Sequence, residues 1–259
     1  MSEERRPRNP VTVVLEGGRV RARFVQRLNR FAVLAEVEGR LTNVFLPNPG
    51  RLTELLSPGR ELILRRRPEG KGKTRFEALA ARDGEILVPL DSRLPNRLFL
   101  KALIERTFDT FSAFPHIKPE YPYLDSRFDF MLSSPDRQCI VEVKSCTLVR
   151  HGVALFPDAP TARGTRHLRE LKDARRRGFR ACVAFIIQRN DASVFAPYWA
   201  RDPEFASTLL DASKEGVEVF AWKVLPVDES LRITLDGRVR VRLSAPRTLA
   251  SERGGNRRV

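Results

Sequence analysis

Three ionisable residues in one short stretch could do chemistry together. Asp129 stands in SRFDFML (126–132), Glu142 and Lys144 stand in CIVEVKSCTL (139–148), and a polar turn at 133–138 joins the two runs. Strand alternation puts Ile140, Glu142 and Lys144 on one face. An acid and a base then project together from a run rich in Val, Ile and Cys, where burying charge is costly. A short turn folds the runs into a hairpin that brings Asp129 beside Glu142. Two carboxylates and an ammonium sharing one site suit metal-assisted hydrolysis of a phosphodiester. Asp129, Glu142 and the backbone carbonyl of Val143 would offer hard oxygens to Mg²⁺, and Mn²⁺ would accept the same set. Lys144 would orient or help deprotonate a water whose pKa the metal lowers.

An Asp on one strand and Glu-x-Lys on the next resembles the PD-(D/E)xK nuclease motif. The surrounding elements have to hold that hairpin. Asn96 is expected to cap a helix over about 97–111, followed by an extended segment, His116–Tyr123, in which Glu120 is an auxiliary carboxylate candidate. Downstream, Asp158 or Thr161 can cap a helix running to about Arg177, with Gly178 as its stop. Leu168, Leu171 and Ala174 form its packing stripe, and its outer face carries Arg163, Arg166 and Arg169, placed to meet backbone phosphates. The apolar run in 180–188 reads as a strand covered on both faces, followed by a helix over 203–215 and a strand over 217–224. Weaker strands are expected at 231–235 and 239–243. The order implies a mixed sheet with helices on its faces.

The N-terminal third reads differently. Seven short strand-like runs between Val11 and Leu90, separated by Gly, Asn and Pro-Gly breaks, predict a small OB-like β-barrel. In LPNPGRLTELLSPG (46–59), a short helix at 52–56 would plug one end with Leu52, Leu55 and Leu56, leaving Asn48 and Arg51 for ligand contact. Arg19, Arg21 and Arg23, at period two, form a basic stripe assigned to phosphates; Phe24 and Phe31 are expected in the core. The architecture is thus α+β: a disordered basic N-terminus over 1–10, a nucleic-acid-binding barrel over 11–90, a nuclease-like mixed α/β domain over 91–244, and a basic tail over 245–259.

Charge points to the partner. With 47 Lys+Arg against 32 Asp+Glu the formal net charge is +15, which favours a polyanion, nucleic acid first, through counterion release. Three cysteines without Cys-x-x-Cys spacing read as buried thiols in a reducing cytoplasm, with no zinc site. No run approaches the length of a membrane span, and nothing in the sequence assigns an oligomeric state.

Several motifs together resemble the sugar fermentation stimulation protein A (SfsA) family: LPNPGRL (46–52), LPNRL (94–98), SRFDFML, EVKSCTL, FPDAPTARGTRHLREL (156–171) and GVEVFAWKV (216–224). The chain departs from the family pattern at Pro49, Pro160 and Ala162, where Thr, Val and Glu are usual. The resemblance implies an OB-like domain followed by a PD-(D/E)xK-like domain. It places Glu120, Asp158, Arg163 and His167 near Asp129, Glu142 and Lys144. It also implies sequence-nonspecific DNA binding. Three functions follow as expectations: a Mg²⁺-dependent nuclease acting on DNA, a non-catalytic DNA-binding regulator of sugar (maltose) metabolism on a nuclease scaffold, or an RNA-processing enzyme, since neither basic patch distinguishes ribose from deoxyribose.

Overall fold

A computed structural model of the chain describes residues 10–68 and 74–245. Residues 1–9 of the expected disordered N-terminus (1–10) and 246–259 of the basic tail (245–259) lie outside the described residues. In chain order the elements are β1 (Thr12–Val14), β2 (Arg19–Asn29), β3 (Ala32–Val37), β4 (Arg40–Phe45), β5 (Glu61–Arg66), β6 (Phe76–Asp83), β7 (Ile86–Pro89), α1 (Leu94–Ile104), β8 (His116–Tyr123), β9 (Ser126–Ser133), β10 (Gln138–Cys146), β11 (Val149–Arg150), β12 (Val153–Phe156), α2 (Ala162–Arg176), β13 (Arg180–Ile187), β14 (Val194–Pro197), α3 (Pro203–Lys214), β15 (Glu218–Val224), β16 (Arg232–Arg238) and β17 (Arg240–Val241).

Strands β2 to β6 close into a five-stranded OB barrel in the order β4-β3-β2-β5-β6, sealed by the parallel β4–β6 pairing, and β7 folds back on β6. Leu52, Leu55 and Leu56 plug it as expected, but through a single turn rather than a helix, closed by Leu55 N–H and Leu56 N–H donating to Leu52 O. Phe24 is in the core, whereas Phe31 is 46% exposed with the Arg30 guanidinium over its ring. Strand β1, expected in the barrel, instead pairs antiparallel with β16 in the second domain. Val11, Val13 and Leu15 bury their side chains there.

The second domain is a seven-stranded sheet, β1-β16-β15-β13-β10-β9-β8, with β10, β13 and β15 parallel. One face carries α1 and barrel residues Ile63, Leu79 and Leu87 in a single core; α2 and α3 cover the other. Thr161 Oγ1 caps α2 by accepting from Gly164 N–H at 3.0 Å, and Gly178 ends it at φ +93°. Helix α1 starts at Leu94, with Pro95 in its first turn and no side-chain cap, so Asn96 lies inside the helix. That helix also ends earlier than expected, and 109–111 forms a separate 3-10 turn. A four-stranded sheet, β11-β12-β14-β17, was not expected; strands of two to four residues carry too little alternation to read.

Phe99 of α1 is the centre of the larger core. It is fully buried, with ring centroids of Phe108 at 5.0 Å, Phe111 at 5.6 Å, Phe130 at 5.7 Å and Trp222 at 6.0 Å. Phe99→Ala is expected to cost about 3–5 kcal/mol in urea unfolding, because so many rigid rings cannot collapse into the gap. A loss below about 1 kcal/mol would show that α1 is not seated as described.

Candidate active site

The site forms where β9 and β10 part. Their antiparallel register runs from Gln138↔Ser133 to Val141↔Phe130. At the next step the Asp129 side chain replaces a main-chain acceptor: Val143 N–H donates to Asp129 Oδ2 at 2.7 Å. Asn96 Nδ2 donates to the other oxygen at 2.5 Å, so α1 fixes the carboxylate from outside the hairpin. A residue's N–H and C=O leave a strand on the same edge. The Val143 carbonyl therefore faces the Asp129 side.

Glu142 lies one alternation away and is almost fully buried. Its Oε1 accepts from Lys144 Nζ at 2.5 Å and lies 2.6 Å from His167 Nδ1 on α2. Arg163 Nε–H donates to the other ring nitrogen, His167 Nε2, at 3.3 Å. Glu142 Oε2 is buried without any hydrogen-bond partner among the described residues. Glu170 Oε2, three residues past His167, is the other carboxylate oxygen in that condition.

Burial and shared charge explain the electrostatics. Part of Asp129 stays open to solvent, but desolvation of its carboxylate, reinforced by the Glu142 charge, pushes its pKa up to about 7. Val143 N–H, Lys144 and Asn96 oppose this incompletely. Burial also works to raise Glu142, but the Lys144 charge and the hydrogen bond from His167 outweigh it and hold the carboxyl below its usual range. The buried Glu142 is thus the ionised partner, and Asp129 carries the proton up to near neutrality.

The other expected site residues divide. Arg163 and His167 join the cluster; Glu120 does not, being exposed and 3.8 Å from Arg127. Asp158 belongs to the seam between the domains, where its Oδ2 accepts from Leu52 N–H at 3.2 Å. Nearby, Thr147 Oγ1 donates to Glu54 Oε1 at 3.1 Å, three residues beyond Lys144. The LPNPGRL loop is therefore sutured next to the site, with Arg27 bracing it through the carbonyls of Asn48 at 3.0 Å and Arg51 at 2.7 Å.

Several of the expected phosphate-contacting arginines also have partners within the chain. Arg19 donates to the carbonyls of Gly17, Leu15 and Ser230, which anchors the barrel to the second domain. Arg21 lies 3.4 Å from Glu229, Arg166 3.9 Å from Glu170, and Arg169 2.7 Å from Glu204. Arg23 and Arg51 are exposed with no ion pair among the described residues. Asn96 is the site residue that sequence reasoning misassigned, as a cap. Pro95 was the available signal, since proline favours the first helical turn and so puts Asn96 inside the helix.

Without metal, folded Asp129 keeps a proton that the unfolded chain releases between about pH 4 and 7. Wild-type stability in EDTA should therefore fall as pH rises through that window, and Asp129→Asn should remove that component. Melting profiles are expected to diverge in favour of the variant by on the order of 5 °C between pH 4 and 8; parallel profiles would refute the raised carboxyl.

Among the described residues no group of three or more His, Cys, Asp or Glu side chains is arranged to hold a metal. Two carboxylates and a carbonyl still fit a cation that retains several waters, and the unpartnered Glu142 Oε2 is an open oxygen for it. No helix among the described residues is long and apolar enough to cross a membrane.

Comparison with known proteins identifies the scaffold. Residues 25–90 match the SfsA N-terminal OB domain and residues 93–229 the sugar fermentation stimulation protein RE domain. A sugar fermentation stimulation protein homolog of Moorella thermoacetica is 47% identical over 85% of this chain and 96% of its own; one from Acetivibrio thermocellus is 44% identical over 84% and 94%. A solved structure described as Pyrococcus furiosus SfsA in complex with Ca²⁺ superposes with a TM-score of 0.80 at 31% identity, covering 89% of this chain and 99% of the other. The chain belongs to the sugar fermentation stimulation protein family.

Proposed function

We propose that this protein is a divalent-metal-dependent nuclease acting on DNA. The observation that carries the proposal is the buried, unpartnered Oε2 of Glu142 beside Asp129 and Lys144. Asp129, Glu142 and the Val143 carbonyl would hold Mg²⁺ or Mn²⁺. The Ca²⁺ of the Pyrococcus furiosus relative supports this, because Ca²⁺ seeks the same hard oxygens. Such an ion would acidify a bound water and offset charge on the phosphate oxygens.

Each residue has a task in that scheme. Lys144, with its side chain only 14% exposed, holds an ammonium against Glu142 and is placed to orient the attacking water. Asn96 and the Val143 N–H hold Asp129 from two sides. The +15 net charge draws a polyanion to the surface, and an OB barrel sutured to the site offers a place for the strand to lie. The buried thiols Cys139, Cys146 and Cys182 fit a reducing, cytoplasmic setting.

Cleavage of single- and double-stranded DNA and RNA with Mg²⁺, Mn²⁺ or EDTA tests the proposal. Products that need metal and fall by at least about 10³-fold in both Asp129→Asn and Lys144→Ala are expected. If nothing is cut while all three proteins bind DNA with similar, steeply salt-dependent affinity, the protein is instead a non-catalytic DNA-binding regulator on a nuclease scaffold.

A further inference from the structure

Arg163 sits on the exposed side of α2, where a phosphate contact is the simplest reading, yet its Nε–H points inward to a buried imidazole. The hydrogen bonds fix the proton positions along that line. The Arg163 guanidinium can only donate, so His167 Nε2 must accept at 3.3 Å. With Nε2 accepting, Nδ1 is the ring's donor, and it is directed at Glu142 Oε1 at 2.6 Å. His167 thus bridges the guanidinium and the carboxylate through its imidazole. Its side chain is only 2% exposed and stands against the Phe128 ring at 5.4 Å, so it has little freedom to turn.

The two donors to Glu142 converge on one oxygen. Lys144 Nζ and His167 Nδ1 both bind Oε1, and Oε2 is left buried and unpartnered. We infer that Arg163, acting through His167, is a positioning residue for the metal site: it holds the Glu142 carboxylate so that Oε2 is presented to the cation. This rests on the metal-site reading above and goes beyond it by assigning a surface arginine to the carboxylate instead of to nucleic acid alone. Partners one bond removed from a ligand orient it and typically change metal affinity by about 10–100-fold when removed.

Charge and geometry predict opposite signs, which makes the inference testable. Removing a cation near a metal site should, by Coulomb's law alone, tighten binding of Mn²⁺. Loss of the positioning bond should weaken it. Calorimetric titration of Mn²⁺ into the full-length protein, without nucleic acid, is expected to show affinity reduced about 10-fold in Arg163→Ala. Arg163→Gln keeps an N–H donor without the charge and should restore affinity to within about 3-fold of wild type. Adding Arg163→Ala to His167→Ala should cause no further loss, since the line is already broken. Melting in EDTA serves as the folding control, and because Arg163 is exposed its variants do not depend on the buried His167 tolerating substitution. Unchanged or tighter Mn²⁺ binding in Arg163→Ala would overturn the inference and leave the metal site standing. Absence of Mn²⁺ binding in the wild type would overturn both.

Discussion

Two carboxylates held close together in a largely dry site are the constraint around which the second domain is built. Burial works to raise both, and only Glu142 is held below its usual range. The protein answers with donors from three directions: the β10 backbone and α1 onto Asp129, Lys144 from the same strand and α2 onto Glu142. The sheet must open between β9 and β10 for this to happen, since a continuous ladder would leave no room for a side-chain acceptor at Val143. Helices on opposite faces of the sheet thus meet the same pair of acids. The aromatic core around Phe99 seats α1, and the Thr161 cap fixes where α2 begins.

The same constraint links the domains. The loop that plugs the barrel reaches the site's edge through Leu52–Asp158 and Glu54–Thr147 contacts. Further out, Arg189 is buried between Asp83 of the barrel at 2.7 Å and Asp191 at 2.8 Å. A buried cation with two carboxylates is weak evidence of net stability, but removing either acid would leave it exposed to a large desolvation cost. Barrel and sheet domain therefore keep a defined relation along this seam.

What the sequence disclosed follows the range of the interactions. Glu142 and Lys144 were legible because two residues along a strand is a local relation, and Asp129 because a short turn makes a hairpin nearly local. Asn96 was not: its partner lies 33 residues away, and its type suits a helix cap equally well. The period of the Arg19–Arg23 stripe was legible, but not that Ser230 and Glu229 meet Arg19 and Arg21 from the far end of the chain. Strand β1 shows the same limit; its alternation fits either sheet, and only its pairing with β16, over two hundred residues on, decides. Phe31 failed for another reason, because the Arg30 guanidinium over its ring makes half-exposure tolerable for an aromatic side chain.

Anomalous diffraction from crystals soaked in Mn²⁺ would test the central claim most directly. The account predicts a peak within about 2.2 Å of an Asp129 carboxylate oxygen, Glu142 Oε2 and the Val143 carbonyl, with Glu142 Oε1 still bound by Lys144 and His167. Saturating Mn²⁺ with no peak there, or a peak held by other residues while Glu142 Oε2 stays unligated, would contradict it.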